Sequence, residues 1–133
     1  MIVDALVKEQ VLSTVETFFK AFAKRDLDTL MGLFLPDDDV VLIGTESDER
    51  LVGLHAISQR FQSDWSRTDE MSMEMGWHSV SGKGDVCWLG AEVLVNVSAE
   101  GNRLQIPARI TIVLERRSGR WLIAQWHASI PME

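Results

Sequence analysis

A chain of 133 residues, 46% apolar and 25% charged, has the make-up of one globular domain spanning 1–133 and is too short for two. A net charge of −7 argues against nucleic acid or an anionic membrane as partner, and no apolar run approaches the roughly 20 residues that a membrane span needs. The one cysteine, Cys87, excludes an internal disulfide, and MIVDALVKEQ carries no signal-peptide pattern, so a cytoplasmic location is expected.

Val7, Val11, Val15, Phe18, Phe19 and Phe22 recur at three- and four-residue spacings, which predicts an amphipathic helix from about Asp4 to Lys24. Asp26 then caps a second, shorter helix with Leu27, Leu30, Met31 and Phe34 on one stripe, ended by Pro36-Asp37-Asp38-Asp39. These adjacent carboxylates lack the ligand spacing and turn glycine of a hard-metal loop and read as a solvated turn. Val40 to Ile43 is a short apolar strand, expected to be buried on both faces. A polar turn, Thr45 to Glu49, leads through Arg50-Leu51-Val52-Gly53 to a third helix, LHAISQRFQSDW, with Leu54, Ile57, Phe61 and Trp65 facing inward. His55, in its first turn, reads as a polar surface residue.

Met71 to His78 alternates strictly, which predicts Met71, Met73, Met75 and Trp77 on one face of a strand, and Glu74 and His78 on the other. Three long strands follow, VCWLGAEVLVNVSA, RLQIPARITIVLER and RWLIAQWHASIP. The loop Ala99-Glu100-Gly101-Asn102 sets Val93 opposite Ala108, Ala91 opposite Ile110 and Glu92 opposite Arg109. A three-residue loop at Arg117-Ser118-Gly119 would set Leu114 opposite Leu122, Ile112 opposite Ala124, Ile110 opposite Trp126 and Arg109 opposite His127. One face is then apolar, running from Cys87, Leu89, Ala91 and Val93 through to Leu122, Ala124, Trp126 and Ala128. The other face carries Glu92, Arg109 and His127 in one row. Three helices followed by a mainly antiparallel, curved sheet make an α+β domain, with the helices packed on one face of the sheet.

With these elements in place, the chain resembles the nuclear transport factor 2-like superfamily and, within it, the SnoaL-like domains. The resemblance rests on Val52-Gly53-Leu54-His55-Ala56-Ile57, on Glu115-Arg116-Arg117-Ser118-Gly119-Arg120-Trp121, and on Trp126-His127-Ala128-Ser129. The last two are also similar to the association domain of calcium/calmodulin-dependent kinase II. The resemblance implies a cone-shaped α+β barrel, usually a homodimer built through the sheet, with a pocket between sheet and helices. The ketosteroid isomerases of this superfamily need an Asp on the first strand and a Tyr with a second Asp. Here Val40-Val41-Leu42-Ile43 and Ile110-Thr111-Ile112 carry no acid and the chain has no tyrosine, so that chemistry is excluded. Nor do paired strand Asp residues flank Arg109, as members similar to limonene epoxide hydrolase would require.

The expected ligand wall comprises Trp126, Trp65, Phe18, Phe22, Met73, Met75, Trp77 and Ile110, an adaptable surface for a small, largely apolar organic ligand. Glu92, Arg109 and His127 are the catalytic candidates, with His127 able to exchange protons near neutral pH. The same row also reads as an ion cluster inside a dimer interface. No metal-site spacing, phosphate loop or nucleophile elbow is present, and no cofactor is expected. Two functions stay open: binding of such a ligand, with isomerase-, cyclase- or hydrolase-type chemistry, or a non-enzymatic association module with an incidental cavity.

Overall fold

The computed structural model describes residues 1–132. Asp4 caps α1 (Ala5–Lys24): its carboxylate accepts the Val7 N–H at 2.9 Å, one of the donors that a first helical turn leaves free. The helix turns Val11, Val15, Phe18, Ala21 and Phe22 inward, as their spacing predicts. Asp26 opens α2 (Leu27–Met31), which is only five residues long and stops short of Phe34. Phe34 instead bridges to Ile123 as a strand-like residue. There follow β1 (Val41–Ile43), β2 (Arg50–Val52), α3 (Leu54–Ser66), β3 (Glu70–Lys83), β4 (Val86–Ala99), β5 (Asn102–Arg117) and β6 (Arg120–Ser129). No helix of the described residues is long and apolar enough to cross a membrane.

The strands form one sheet in the order β2-β1-β6-β5-β4-β3, antiparallel throughout except for the β1–β6 pair. Its edges, β2 and β3, do not pair with each other, so the sheet curls around the helices without closing: an α+β fold with a cone-like hollow. In β1, Leu42 is buried while Val41 and Ile43 are only half-buried, so the strand is covered fully on one face, not on both. The core lies between α1 and the concave sheet face, where Val11, Val15, Leu89, Ile112, Leu114 and Ile123 exclude water completely. Phe18 sits at its centre, its ring within 6.3 Å of the rings of Phe19, Phe22, Phe34, Phe61 and Trp126. Burying one such ring stabilises the fold by about 3 kcal/mol.

The β4–β5 hairpin has the expected register, with Val93 opposite Ala108, Ala91 opposite Ile110 and Glu92 opposite Arg109. The β5–β6 hairpin does not. Ser118 and Gly119 both have positive φ, 51° and 77°, which makes a two-residue turn with Arg117 opposite Arg120. A bulge beside Leu114 then admits one further residue on β6. The two offsets put Ile112 opposite Trp126 and Ile110 opposite Ala128, so Trp126 keeps its inward face. They also put His127 opposite Thr111 and Arg109 opposite Ser129, and the predicted row of three is broken.

A second bulge corrects the reading of β3. Met71, Met73 and Met75 stand opposite Val97, Val95 and Val93, but Gly76 and Trp77 together face the single residue Glu92. The extra residue switches the alternation, so His78, Val80 and Gly82 stand opposite the inward Ala91, Leu89 and Cys87. Trp77 is left outside and 63% exposed. His78 is therefore not in the outward charged row, and Trp77 is not on the methionine face.

Candidate functional site

Between the concave sheet and the helices α1 and α3 lies an open-mouthed cavity of about 350 Å³. Its inner wall is apolar: Phe18 and Phe22 from α1, Phe61 from α3, and Met73, Ile110 and Trp126 from the sheet. Trp126 stacks on Phe18 with ring centroids 4.4 Å apart, which fixes the indole as a flat surface rather than a mobile flap. The mouth is polar. It is built from the β1–β2 turn, carrying Thr45, Glu46 and Glu49, and from the end of α3, carrying Asp64, Arg67 and Thr68.

One cation organises that mouth. Arg60, on α3 a turn before Asp64, lies behind the wall with its side chain only 13% exposed. Its guanidinium pairs with Glu46, and lies 3.3 Å from Asp48, 3.4 Å from Glu49 and 3.4 Å from Asp64. Burial disfavours the Arg60 charge, but Glu49, Asp48 and Asp64 outweigh it and raise its pKa. The carboxyls respond differently. Burial raises the Glu49 pKa against the pull of Arg60, and raises that of Asp64 against hydrogen bonding from Arg67. Arg67 donates to Asp64 at 2.7 Å.

The Glu49 carboxyl lies directly over the Gly44 backbone, where an added Cβ would sit 1.9 Å from its Cδ. Gly44 has no left-handed conformation to require a glycine; what the missing side chain supplies is room. The turn itself is held by Gly44 N–H donating to Glu49 O at 2.9 Å and Glu49 N–H donating to Glu46 O at 3.0 Å. At the far end of the mouth, Arg25 follows α1 with φ 60° and donates to the carbonyls of Trp65 and Thr68 and to the Thr68 hydroxyl. It thereby pins the end of α3 to the end of α1, and Thr68 with it.

Of the residues expected to form the ligand wall, Trp126, Phe18, Phe22, Met73 and Ile110 line the cavity. Trp65 does not: it is buried against Phe22 and Phe61, and its indole N–H has no partner among the described residues. Met75 packs half-buried against the core without lining the cavity, and Trp77 lies on the outer face of the sheet for the reason given above. Glu92, Arg109 and His127 are all exposed on the convex face and contribute nothing to the cavity wall. Although Glu92 and Arg109 are directly opposite, no ion pair joins them among the described residues. The groups that sequence reasoning missed are Glu49, Asp64 and Arg60. The only sequence signals were the Arg60–Asp64 spacing of one helical turn and the glycine that separates an apolar strand from an acid-rich turn.

The sequence profile of the SnoaL-like domain family matches residues 11–133. No curated protein matches the chain. Among solved structures, an NTF2-like protein of unknown function from Pseudomonas putida KT2440 is 18% identical with a TM-score of 0.84, covering 99% of this chain and 92% of its own. A candidate dehydratase of the NTF2-like family from Streptomyces avermitilis is 20% identical with a TM-score of 0.82, covering 94% and 96%. A candidate calcium/calmodulin-dependent protein kinase II association domain from Xanthomonas campestris is 24% identical with a TM-score of 0.82, covering 92% and 86%. At these identities the likeness is one of fold.

Proposed function

The chain belongs to the SnoaL-like domain family, and on that footing we propose that it binds a small, largely apolar organic molecule in the cone between sheet and helices. The observation that carries this reading is the cavity itself. Its volume of about 350 Å³ lies in the range of small-molecule sites, and it joins an aromatic interior to a few convergent polar groups. If the bound molecule reacts, the proton-exchanging groups within reach are Glu49 and Asp64, whose pKa values are already moved toward neutrality by burial. Isomerase-, cyclase- or hydrolase-type chemistry would run through them rather than through Glu92, Arg109 and His127. A cytoplasmic site of action accords with a free, buried Cys87.

The test is to purify the protein without detergent, extract it, and search the extract by mass spectrometry for a stoichiometric small molecule. A Trp126→Phe variant controls the accompanying fluorescence titrations. Retention of one apolar compound that quenches wild-type but not Trp126→Phe emission is the expected result. An empty protein whose Trp126 emission responds to no compound of this class would end the reading.

A second reading is favoured by the convex sheet face, where Trp77 is 63% exposed and Trp88 and Val113 form a half-buried pair with no helix over them. On this reading that face joins two copies of the chain into a homodimer, and the neighbour described as a kinase association domain lends it support. Arg109→Ala and Trp77→Ser would then shift the protein toward monomer in sedimentation analysis. A wild-type protein that is monomeric at high concentration would exclude it.

A further inference from the structure

Resting on the reading of the cone as a ligand pocket, we propose that it selects a ligand with a basic nitrogen, an arylalkyl amine in its ammonium form, over an isosteric alcohol or carboxylate. Three carboxylates, Glu46, Glu49 and Asp64, reach the cavity wall against one guanidinium, Arg67, which is already engaged by Asp64. Arg60 stands behind the wall, where its Nη2 is shared among Glu46, Asp48 and Glu49 while its buried Nε, 3.4 Å from Asp64, makes no hydrogen bond among the described residues.

Glu49 is the group left short. Its side chain is 14% exposed, yet its partners are long contacts only: Arg60 at 3.4 Å and the Glu46 N–H at 3.4 Å. An ionised carboxylate accepts several hydrogen bonds, and charge-assisted ones close to about 2.7–2.9 Å. A half-satisfied carboxylate at the rim of an apolar cavity, with a missing side chain at Gly44 making its place, is the complement of a donor cation. Burial raises the pKa values of Glu49 and Asp64, and a cation seated beside them would offset that desolvation.

The rest of the cavity suits the remainder of such a molecule. Met71, Met73, Val95, Val97 and Ile106, half-buried on the cavity wall, offer an apolar surface to its hydrocarbon body. A chain with net charge −7 also steers cations toward itself. A carboxylate end would meet Glu46, Glu49 and Asp64 at once.

The test is isothermal titration at pH 7 and low salt with three probes of one shape: 2-naphthylmethylamine, 2-naphthylmethanol and 2-naphthoate. The expected order is amine at least about tenfold tighter than alcohol, with naphthoate weakest. In Glu49→Gln, an isosteric change whose folding is checked by circular dichroism, the amine-to-alcohol ratio is expected to fall to within about twofold. Alcohol binding as tight as amine binding, or a ratio unmoved by both Glu49→Gln and Asp64→Asn, overturns the amine preference and leaves the pocket reading standing. Failure of all three probes to bind overturns both.

Discussion

A methyl group added at Gly44 lands 1.9 Å from Glu49 Cδ and 2.1 and 2.3 Å from its two carboxylate oxygens, so Gly44→Ala and the native Glu49 position exclude each other. The obstacle is the far end of a flexible side chain, so Glu49 is expected to swing out to solvent while the backbone stays. Gly44 is not among the residues with positive φ, and alanine accepts its conformation without strain. Leaving costs Glu49 its 3.4 Å contact with Arg60, a loss of at most about 1 kcal/mol because the carboxylate regains the hydration that burial had taken from it. Against this, a compatible glycine-to-alanine change recovers about 0.4–1 kcal/mol through the unfolded chain. The two nearly cancel, so the Tm of Gly44→Ala is expected within about 4 °C of wild type. Affinity for the naphthylmethylamine probe should nevertheless fall about tenfold, because the recipient carboxylate has left the wall. Thermal denaturation and titration on the same preparation separate the two effects. A Tm loss beyond about 10 °C would show that the glycine serves the backbone, and an undiminished amine affinity would show that Glu49 is not the recipient.

Arg60→Met removes the cation shared by Glu46, Asp48, Glu49 and Asp64 and should destabilise the fold by about 2–3 kcal/mol at pH 7. Urea melts should show that loss shrinking as the pH falls toward 4 and the carboxylates take up protons; a loss independent of pH would contradict the charge argument. Glu49 carries a raised pKa in the folded state, so the stability it contributes is present below the unfolded carboxylate pKa and is lost as pH rises through the folded one. Glu49→Gln should therefore be more stable than wild type at pH 8, with the difference closing toward pH 4 in parallel denaturation curves. Ser118 holds φ 51° at the first position of the β5–β6 turn, where asparagine is at ease and most residues are strained. Ser118→Asn is expected to add about 0.5 kcal/mol, read as a higher urea midpoint with an unchanged slope; a decrease would mean that the turn is not of the mirror-image type.

What the chain reveals without its structure is what neighbouring residues decide. The three- and four-residue spacing from Val7 to Phe22 builds α1, because a helix is a local object and its buried stripe is written at its own period. The Glu100–Gly101 turn likewise sets the β4–β5 register to its end, since both residues take positive φ and no bulge interrupts the ladder. Beyond that reach, alternation is a weaker guide. One extra residue at Gly76–Trp77 sends Trp77 outward, and one more beside Leu114, with the shorter turn, parts His127 from Arg109. Such residues are admitted where the sheet must bend around α1 and α3, and that requirement comes from the opposite side of the core. The polar mouth is further still from view. Thr45 to Glu49 reads only as a polar turn, and nothing in the sequence singles out Arg60 beyond its spacing from Asp64. Only when β2 folds the turn back over α3 do four carboxylates meet one guanidinium at the rim of an apolar cavity, because charges that attract from distant points in sequence are brought together by packing, not by pattern.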